Sequence, residues 1–246
     1  MRRSRIFCLG PLAADQLVEL DARNSHYLLH VLRIKTGQPL VLFDGSGCDY
    51  HGTVEQVLRK SIQVRIIDQC EHQITESRLH TTLGIAISKG DRMDWVMQKA
   101  TELGVSEIQP LITQRVDVKL NQQRMEKKHL HWHGIVIGAC EQSGRSVIPK
   151  LKPACSVDHW LDSHHSDLKL VLRANGEPFE PMAKAVNHLP TSAAVLIGPE
   201  GGLTDTELQL AEKANFVATG FGPRILRTET APIIALTLLQ SQWGDF

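Results

Sequence analysis

From Thr82 to the end of the chain, short apolar runs alternate with longer segments whose apolar residues repeat at helical spacing. Buried strands are predicted at 82–87, 107–111, 168–172, 193–197 and 217–221. Helices are predicted over 91–103 and 123–142, then from Thr204 and from about Thr230 onward. Apolar strands joined by helices favour a mostly parallel sheet that is covered on both faces. The fold class predicted for this part is therefore α/β.

Two of the predicted helices carry signals at their first residues. Thr204 is followed three residues later by Glu207, which is the pattern of a capping box. Pro232 falls in the first turn of the last helix, where its missing N–H group has no helical partner to lose. We therefore expect helices to begin at these two points.

The first seventy residues have the pattern of a small β-barrel-like domain. The apolar run Pro39–Phe43 ends at the turn-forming cluster 44–47, and two further strands are predicted at 50–58 and 61–67. One helix is predicted over 25–33. The polar segment 68–80 has no sustained period, so we place a domain boundary within it. The predicted domains are 1–72 and 73–246.

Charge and composition limit the classes of partner and compartment. The 246 residues hold 27 basic and 27 acidic side chains, which excludes a globally basic nucleic-acid binder. Residues 1–35 hold six Lys and Arg against three Asp and Glu, a local excess that either contacts phosphates or is a solvated surface. No segment reaches the roughly 20 apolar residues of a membrane span. Five cysteines without a CxxC pair favour a reducing compartment, so a cytoplasmic protein is expected.

Two glycine-rich loops follow predicted strands, at the sheet edge where ligands bind in open α/β folds. The first, Val195–Thr204 (VLIGPEGGLT), is neither a Walker loop nor a dinucleotide fingerprint. Because Glu200 would repel a phosphate, this loop favours a neutral or cationic ligand, unless it is only a tight turn. The second, Gly220–Ala231 (GFGPRILRTETA), carries Arg224, Arg227 and Glu229 in an otherwise apolar stretch.

These charged residues must be exposed or paired. Arg227 and Glu229 form either a structural ion pair at the last helix or part of a site. Two similar loops at one edge favour a shared pocket.

The histidines of HLHWH, at 129, 131 and 133, suggest a metal cluster, but neither HExxH nor a nearby cysteine supports zinc. We therefore predict no metal there or at His164-His165.

The paired loops, roughly twenty residues apart, resemble the motifs of the RsmE family of SPOUT methyltransferases. That family methylates N3 of a uridine in 16S ribosomal RNA of the small subunit. The resemblance also covers Lys89–Val105 (KGDRMDWVMQKATELGV), Ala139–Arg145 (ACEQSGR), and the N-terminal SRIF with His26 and 31–33 (VLR). At Gln114 the family often has Glu, so a contact by an acid at that position is not carried over.

The resemblance implies a PUA-like RNA-binding β-barrel followed by a SPOUT domain with a C-terminal trefoil knot. It also implies S-adenosylmethionine as cofactor and a homodimer with active sites at the subunit interface. The implied partner is 16S rRNA within the small ribosomal subunit. By motif match, the cofactor-binding residues are Leu172, Ile197, Gly198, Pro199, Glu200, Gly201, Gly202, Leu203, Phe221, Gly222, Ile225, Leu226, Arg227 and Thr228.

Methylation at N3 requires in-line positioning and removal of the imide proton. We expect Arg227 to stabilise the developing anion, with Arg5 or Arg33 as alternatives acting across a dimer. Glu200 or Glu229 is the base, or each orders its loop. The predicted RNA-binding residues are Arg2, Arg5, His26, Arg33, Lys89, Arg92, Lys99, Arg115 and Arg145.

Two other functions are compatible with the loops. One is a SPOUT enzyme that methylates tRNA or a ribose 2′-hydroxyl, although the matched N-terminal segments argue against it. The other is a ribosome-assembly RNA-binding protein that keeps the fold without catalysis. Binding of S-adenosylmethionine discriminates the second of these from a methyltransferase.

Overall fold

The computed structural model describes residues 4–70, 76–115 and 122–246. The chain divides into two compact units, Met1–Glu76 with Cys140–Ile148, and Ser77–Ala139 with Pro149–Phe246. The predicted boundary between 72 and 73 lies outside the described residues. Cys140–Ile148, which we expected in the second domain, belongs to the first unit. One reason is that Glu141 accepts a hydrogen bond from the Phe7 backbone N–H at 3.1 Å.

The first unit is built on a five-stranded sheet with the order β1-β3-β4-β5-β2. In β5, Ile62, Val64 and Ile66 alternate with more exposed residues and point into the unit's apolar core, as the period of a strand requires. The strands are β1 Ser4–Phe7, β2 Leu17–Glu19, β3 Pro39–Phe43, β4 Asp49–Val57 and β5 Ile62–Cys70.

The helix of this unit begins earlier than predicted and has an irregular second half. Helix α1 spans Ala22–His26, and a π-helical turn follows over Tyr27–Val31. The Asp21 carboxylate caps α1 by accepting the Asn24 N–H at 2.7 Å, a signal that the sequence prediction overlooked. Arg33 has a φ of 50°, a left-handed conformation that a helix does not contain.

The second unit contains a parallel sheet with the order β12-β10-β11-β6-β7-β8, and β9 also pairs with β7. Residues 140–143, at the end of α3, belong to the first unit. The elements from β6 onward are β6 His80–Ala86, α2 Arg92–Glu102, β7 Glu107–Ile112, α3 Gln122–Ser143, β8 Lys150–Leu151, β9 Cys155–Ser156, α4 Val157–Ser163, β10 Leu168–Pro178, α5 Phe179–Ala185, β11 Ser192–Ile197, α6 Asp205–Lys213, β12 Val217–Gly220 and α7 Ala231–Trp243.

Helices cover both faces of this sheet. Residues 193–197 of β11 are all buried, although successive side chains point to opposite faces. Ala194 and Leu196 pack with Trp160 of α4 and Ala211 of α6 in one core cluster. Helix α7 contacts β11 and α2. The predicted α/β class is thus confirmed, whereas threading of the chain into a knot stays a prediction.

The predicted helix starts are confirmed, since Thr204 and Glu207 form the full capping box and Pro232 lies in the first turn of α7. The sequence prediction missed α4, which is capped by Ser156 and places Trp160 directly against Gly84. A Cβ at Gly84 would lie 2.5 Å from the Trp160 ring, so this strand residue must be glycine. Within the described residues, no helix combines the length and apolarity needed to cross a membrane.

Candidate functional site

The two glycine-rich loops lie side by side because their strands are close neighbours in the parallel sheet. Strand β10 pairs with both β11 and β12, so the loops after β11 and β12 leave the same sheet edge. Together they line a pocket of about 480 Å³, which we call the loop cavity. This volume falls within the roughly 300–1,000 Å³ typical of small-molecule sites.

All the predicted cofactor-binding residues except Gly201 line the loop cavity. The carbonyl of Gly201 instead accepts a hydrogen bond from Nη1 of Arg115 at 2.7 Å. The wall also includes residues that the motif match did not give as cofactor-binding: Arg92, Arg173, Arg224, Glu229 and Ala231. The sequence did not predict that Arg173 lines the cavity, because its place on the wall depends on an irregularity in strand β10.

That irregularity is a bulge in β10 beside the loop cavity. The register with β12 shifts between Leu172 and Glu177, both of which pair with Thr219. A Cβ at Gly176 would lie 2.5 Å from the backbone of Thr219, so only glycine allows this approach. The bulge places Leu172 and Arg173 on the cavity wall.

The first loop is fixed by hydrogen bonds at both ends. The Gly202 N–H donates to the Pro199 carbonyl at 2.8 Å, which closes a turn. Beyond it, the buried carboxylate of Glu207 accepts the N–H of Thr204 at 2.7 Å and that of Gln114 at 2.8 Å. Gln114 therefore contacts this region through its backbone N–H, a contact that does not depend on which side chain stands at this position.

A cluster of charges links the two loops. The guanidinium of Arg92, at the start of α2, is hydrogen-bonded to Glu200 in the first loop. Its Nε also lies 3.7 Å from Glu229 Oε2 in the second loop. That Oε2 atom is buried and has no hydrogen-bond donor among the described residues. Arg92 therefore holds two carboxylates at the cavity, and one of them has an oxygen without a hydrogen-bond donor among the described residues.

Arg227 differs from Arg92 in its exposure. Its side chain is 82% exposed, and Nη1 lies 3.9 Å from Glu229 Oε1. A pair so long and so solvated contributes little to stability, typically below about 1 kcal/mol. A purely structural role for the Arg227–Glu229 pair is therefore disfavoured, and the guanidinium is accessible to a ligand.

The cavity wall combines exposed apolar groups with charges of both signs. Ile225 is 89% exposed although it is a large apolar side chain, and Leu172 and Leu226 are partly buried beside it. Burying such surfaces under a ligand is favourable. A ligand with a flat apolar part and both positive and negative groups fits this donor set.

The predicted RNA-binding residues separate into buried and exposed groups. In the first unit, Arg5 is hydrogen-bonded to the Asp49 carboxylate and, at 2.9 Å, to Ser146 Oγ. Arg145 is 5% exposed and ion-paired with Glu76. Both guanidinium groups are largely buried and paired with carboxylates, which favours a structural role for them.

The other predicted contacts include exposed side chains. His26 is exposed and its ring packs at a tilt against that of His30, with 4.6 Å between ring centroids, and Arg33 is exposed nearby in sequence. In the second unit Lys89 is exposed and Lys99 pairs with Glu102. Arg2 lies outside the described residues.

The histidines have partners other than a metal. His131 pairs with Asp94 at 2.7 Å, and His129 contacts the Leu151 carbonyl at 3.1 Å. Across the described ranges there is no group of three or more His, Cys, Asp or Glu placed to hold a metal ion. His164 packs against Trp160, and burial lowers its pKa to about 4.

Comparison with known proteins places these two units in a family. Residues 75–240 match the model of the RNA methyltransferase domain, and residues 20–67 match that of the RNA methyltransferase PUA domain. Ribosomal RNA small subunit methyltransferase E of Buchnera aphidicola is 32% identical over 98% of this chain and 94% of its own length. The protein of the same name from Bacillus subtilis is 30% identical over 88% of this chain and 87% of its own length.

Solved structures agree with this assignment. A Legionella pneumophila methyltransferase in complex with its cofactor SAM is 40% identical, covers 100% of both chains and superposes with a TM-score of 0.95. Ribosomal RNA small subunit methyltransferase E from Neisseria gonorrhoeae, bound to S-adenosyl methionine, is 37% identical with a TM-score of 0.89 and the same coverage. The chain therefore belongs to the ribosomal RNA small subunit methyltransferase E family.

Proposed function

We propose that this protein transfers a methyl group from S-adenosylmethionine to N3 of a specific uridine in 16S rRNA. The observation that carries the proposal is the loop cavity, in which two glycine-rich loops meet beside a bridging arginine and a buried carboxylate oxygen. The names of the relatives support rRNA of the small subunit as the substrate class.

The residues of the loop cavity fit the cofactor. Leu172, Ile225 and Leu226 supply apolar surface for a nucleoside, and the glycine loops bring backbone close to it. Arg173 and Arg224 suit the carboxylate of the methionine part. When bound, S-adenosylmethionine supplies an electrophilic methyl group on a sulfonium.

The reaction also requires that the uracil N3 proton be removed. Of the two candidate bases, we favour Glu229, because Glu200 is hydrogen-bonded to Arg92, whereas Glu229 lies 3.7 Å from Arg92 Nε and keeps 22% of its side chain exposed at the cavity. Arg227 is accessible to neutralise charge on the uracil oxygens while the proton leaves. Positioning by the loops and charge stabilisation by Arg227 then account for most of the rate enhancement.

The RNA partner is proposed to be the small ribosomal subunit, with cytoplasmic ribosome assembly as the setting. Exposed His26 and Arg33 of the first unit and Lys89 of the second are the proposed phosphate and sugar contacts. A homodimer is part of the proposal, because Arg33 can then act on the substrate of the partner subunit.

The proposal is tested by product analysis. Purified protein is incubated with S-adenosylmethionine and with small subunits from cells that lack this enzyme, and the rRNA nucleosides are separated by mass spectrometry. We expect 3-methyluridine in 16S rRNA. A 2′-O-methylated nucleoside, or methylation of tRNA alone, would overturn the substrate assignment. Binding of RNA without binding of S-adenosylmethionine would favour an assembly factor.

A further inference from the structure

A second cavity adjoins the loop cavity, and none of the cofactor-binding residues predicted by motif match lines it. It is an open pocket of about 660 Å³, which we call the side cavity. It shares two wall residues, Arg92 and Glu229, with the loop cavity. Its full lining is Lys89, Gly90, Asp91, Arg92, Trp95 and Glu229.

The wall of the side cavity contains an exposed tryptophan, Trp95. Trp95 is 56% exposed, whereas Trp132, Trp160 and Trp243 are each exposed by 5% or less. Trp95 lies in the first turn of α2, where its backbone N–H donates to the Asp91 carbonyl at 3.1 Å. The ammonium of Lys99 lies 5.6 Å from the ring centroid, a cation–π contact that helps to orient the ring.

An exposed, fixed indole next to a methyl-donor site suits a flat heterocycle. An enzyme that modifies a base atom must take that base out of its stack, and the lost stacking is replaced by aromatic side chains in the enzyme. Stacking on an aromatic side chain typically strengthens the binding of a base by roughly 5- to 150-fold. Glu229, proposed as the proton acceptor, lies on the wall that the two cavities share.

We propose that Trp95 is the stacking platform for the uridine that accepts the methyl group, and that Lys89 contacts the backbone phosphate of that nucleotide. This inference rests on the proposed function and names the substrate subsite within it. A base stacked on Trp95 lies beside Glu229, which receives the N3 proton, and faces the loop cavity, from which the methyl group comes.

Steady-state kinetics with small subunits test the proposal. For Trp95→Ala we expect kcat/KM for the subunit to fall by about 10-fold or more, because a stacking contact is lost. Trp95→Phe keeps a ring and should stay within about 3-fold of the unchanged protein. The unchanged protein, Trp95→Ala and Trp95→Phe should all bind S-adenosylmethionine with the same affinity. Leu189→Ala, an exposed apolar residue outside both cavities, is the matched control and should leave every parameter unchanged.

Tryptophan fluorescence gives a direct readout, because all four tryptophans lie in the described residues and only Trp95 among them is largely exposed. Acrylamide should quench the unchanged protein more than Trp95→Phe. Added small-subunit rRNA should protect that accessible fraction. The inference is overturned if Trp95→Ala methylates small subunits with unchanged kcat/KM, or if bound rRNA leaves Trp95 fully open to acrylamide. Absence of 3-methyluridine from the unchanged protein would instead overturn the proposed function.

Discussion

The Nε atom of Arg92 lies 3.7 Å from Glu229 Oε2, in the wall that separates the loop cavity from the side cavity. The same guanidinium is hydrogen-bonded to Glu200. One side chain at the start of α2 thus holds the loop after β11 and the loop before α7 together. Both carboxylates are at least partly exposed, so dissolved salt weakens their interactions with Arg92. These ion pairs therefore affect the position of the loops more than the global stability of the protein.

Removal of this bridge should weaken cofactor binding. For Arg92→Ala we expect the dissociation constant of S-adenosylmethionine to rise by about 10-fold, equivalent to about 1.4 kcal/mol. Arg92→Lys keeps one charge but not the forked geometry, so it should recover only part of the loss. Calorimetric titration measures both. Additive effects of Arg92→Ala and Glu200→Gln in a double-mutant cycle would contradict the proposed link.

Arg227 should act on turnover and not on folding. Its side chain is 82% exposed, so Arg227→Ala is expected to leave the melting temperature within about 2 °C. The rate of methylation should fall by about 100-fold or more, the magnitude found when a charge-stabilising donor is removed. Single-turnover assays with small subunits measure the chemical step. An unchanged rate would remove Arg227 from the mechanism.

Glu207 should be a stability determinant of the second unit. Its carboxylate is 1% exposed and accepts hydrogen bonds from Thr204 and from the Gln114 N–H. Glu207→Ala leaves these partly buried donors without an acceptor and removes the capping box, so the free energy of unfolding should fall by about 1–2 kcal/mol. Glu207→Gln keeps one oxygen acceptor and should lose less. Urea denaturation measures the difference, and equal losses for the two variants would count against the hydrogen-bonding explanation.

His164 should make stability sensitive to acid over a defined range. Burial, and secondarily the nearby Lys169, His165 and His80, lower its pKa from 6.5 to about 4. The unfolded chain therefore binds a proton near pH 6.5, whereas the folded protein does not until about pH 4. The contribution of this residue is complete above pH 6.5 and is lost as the pH falls toward 4.

Replacement by a neutral residue tests this pH dependence. His164→Asn should reduce the decline of unfolding free energy between pH 6.5 and pH 4, and NMR of the imidazole in the unchanged protein should show titration near pH 4. His159→Asn, an exposed position in α4, the helix that ends just before His164, is the control. An imidazole of His164 that titrates near pH 6.5 would contradict the burial seen here.

The sheet and its ligand edge could be predicted because they depend on local pattern. Runs such as 193–197 are apolar throughout, and a strand buried on both faces requires that. The capping pair Thr204 and Glu207 fixes a helix start through residues only three positions apart. Glycine loops after two such strands then had to share one edge of the sheet.

Features that depend on distant residues could not be predicted. The charge bridge joins Arg92 to Glu200 and Glu229, residues more than one hundred positions later. Burial of Arg145 depends on Glu76, so its basic side chain resembles an RNA contact in sequence but is a buried ion-pair partner in the structure. The knot and the catalytic roles came from the family resemblance and not from spacing.

The central claim is that the loop cavity binds S-adenosylmethionine, and calorimetric titration of the unchanged protein and of Gly198→Val tests it most directly. A Cβ at Gly198 would lie 3.0 Å from both the backbone N and the Cγ of Leu203, so valine must displace the first loop. Gly134→Ala, which adds a methyl group in open space on α3, is the control. We predict one binding site, a loss of affinity of about 10-fold or more in Gly198→Val, and none in Gly134→Ala. Absence of binding to the unchanged protein, or equal affinity in a folded Gly198→Val, would contradict the account.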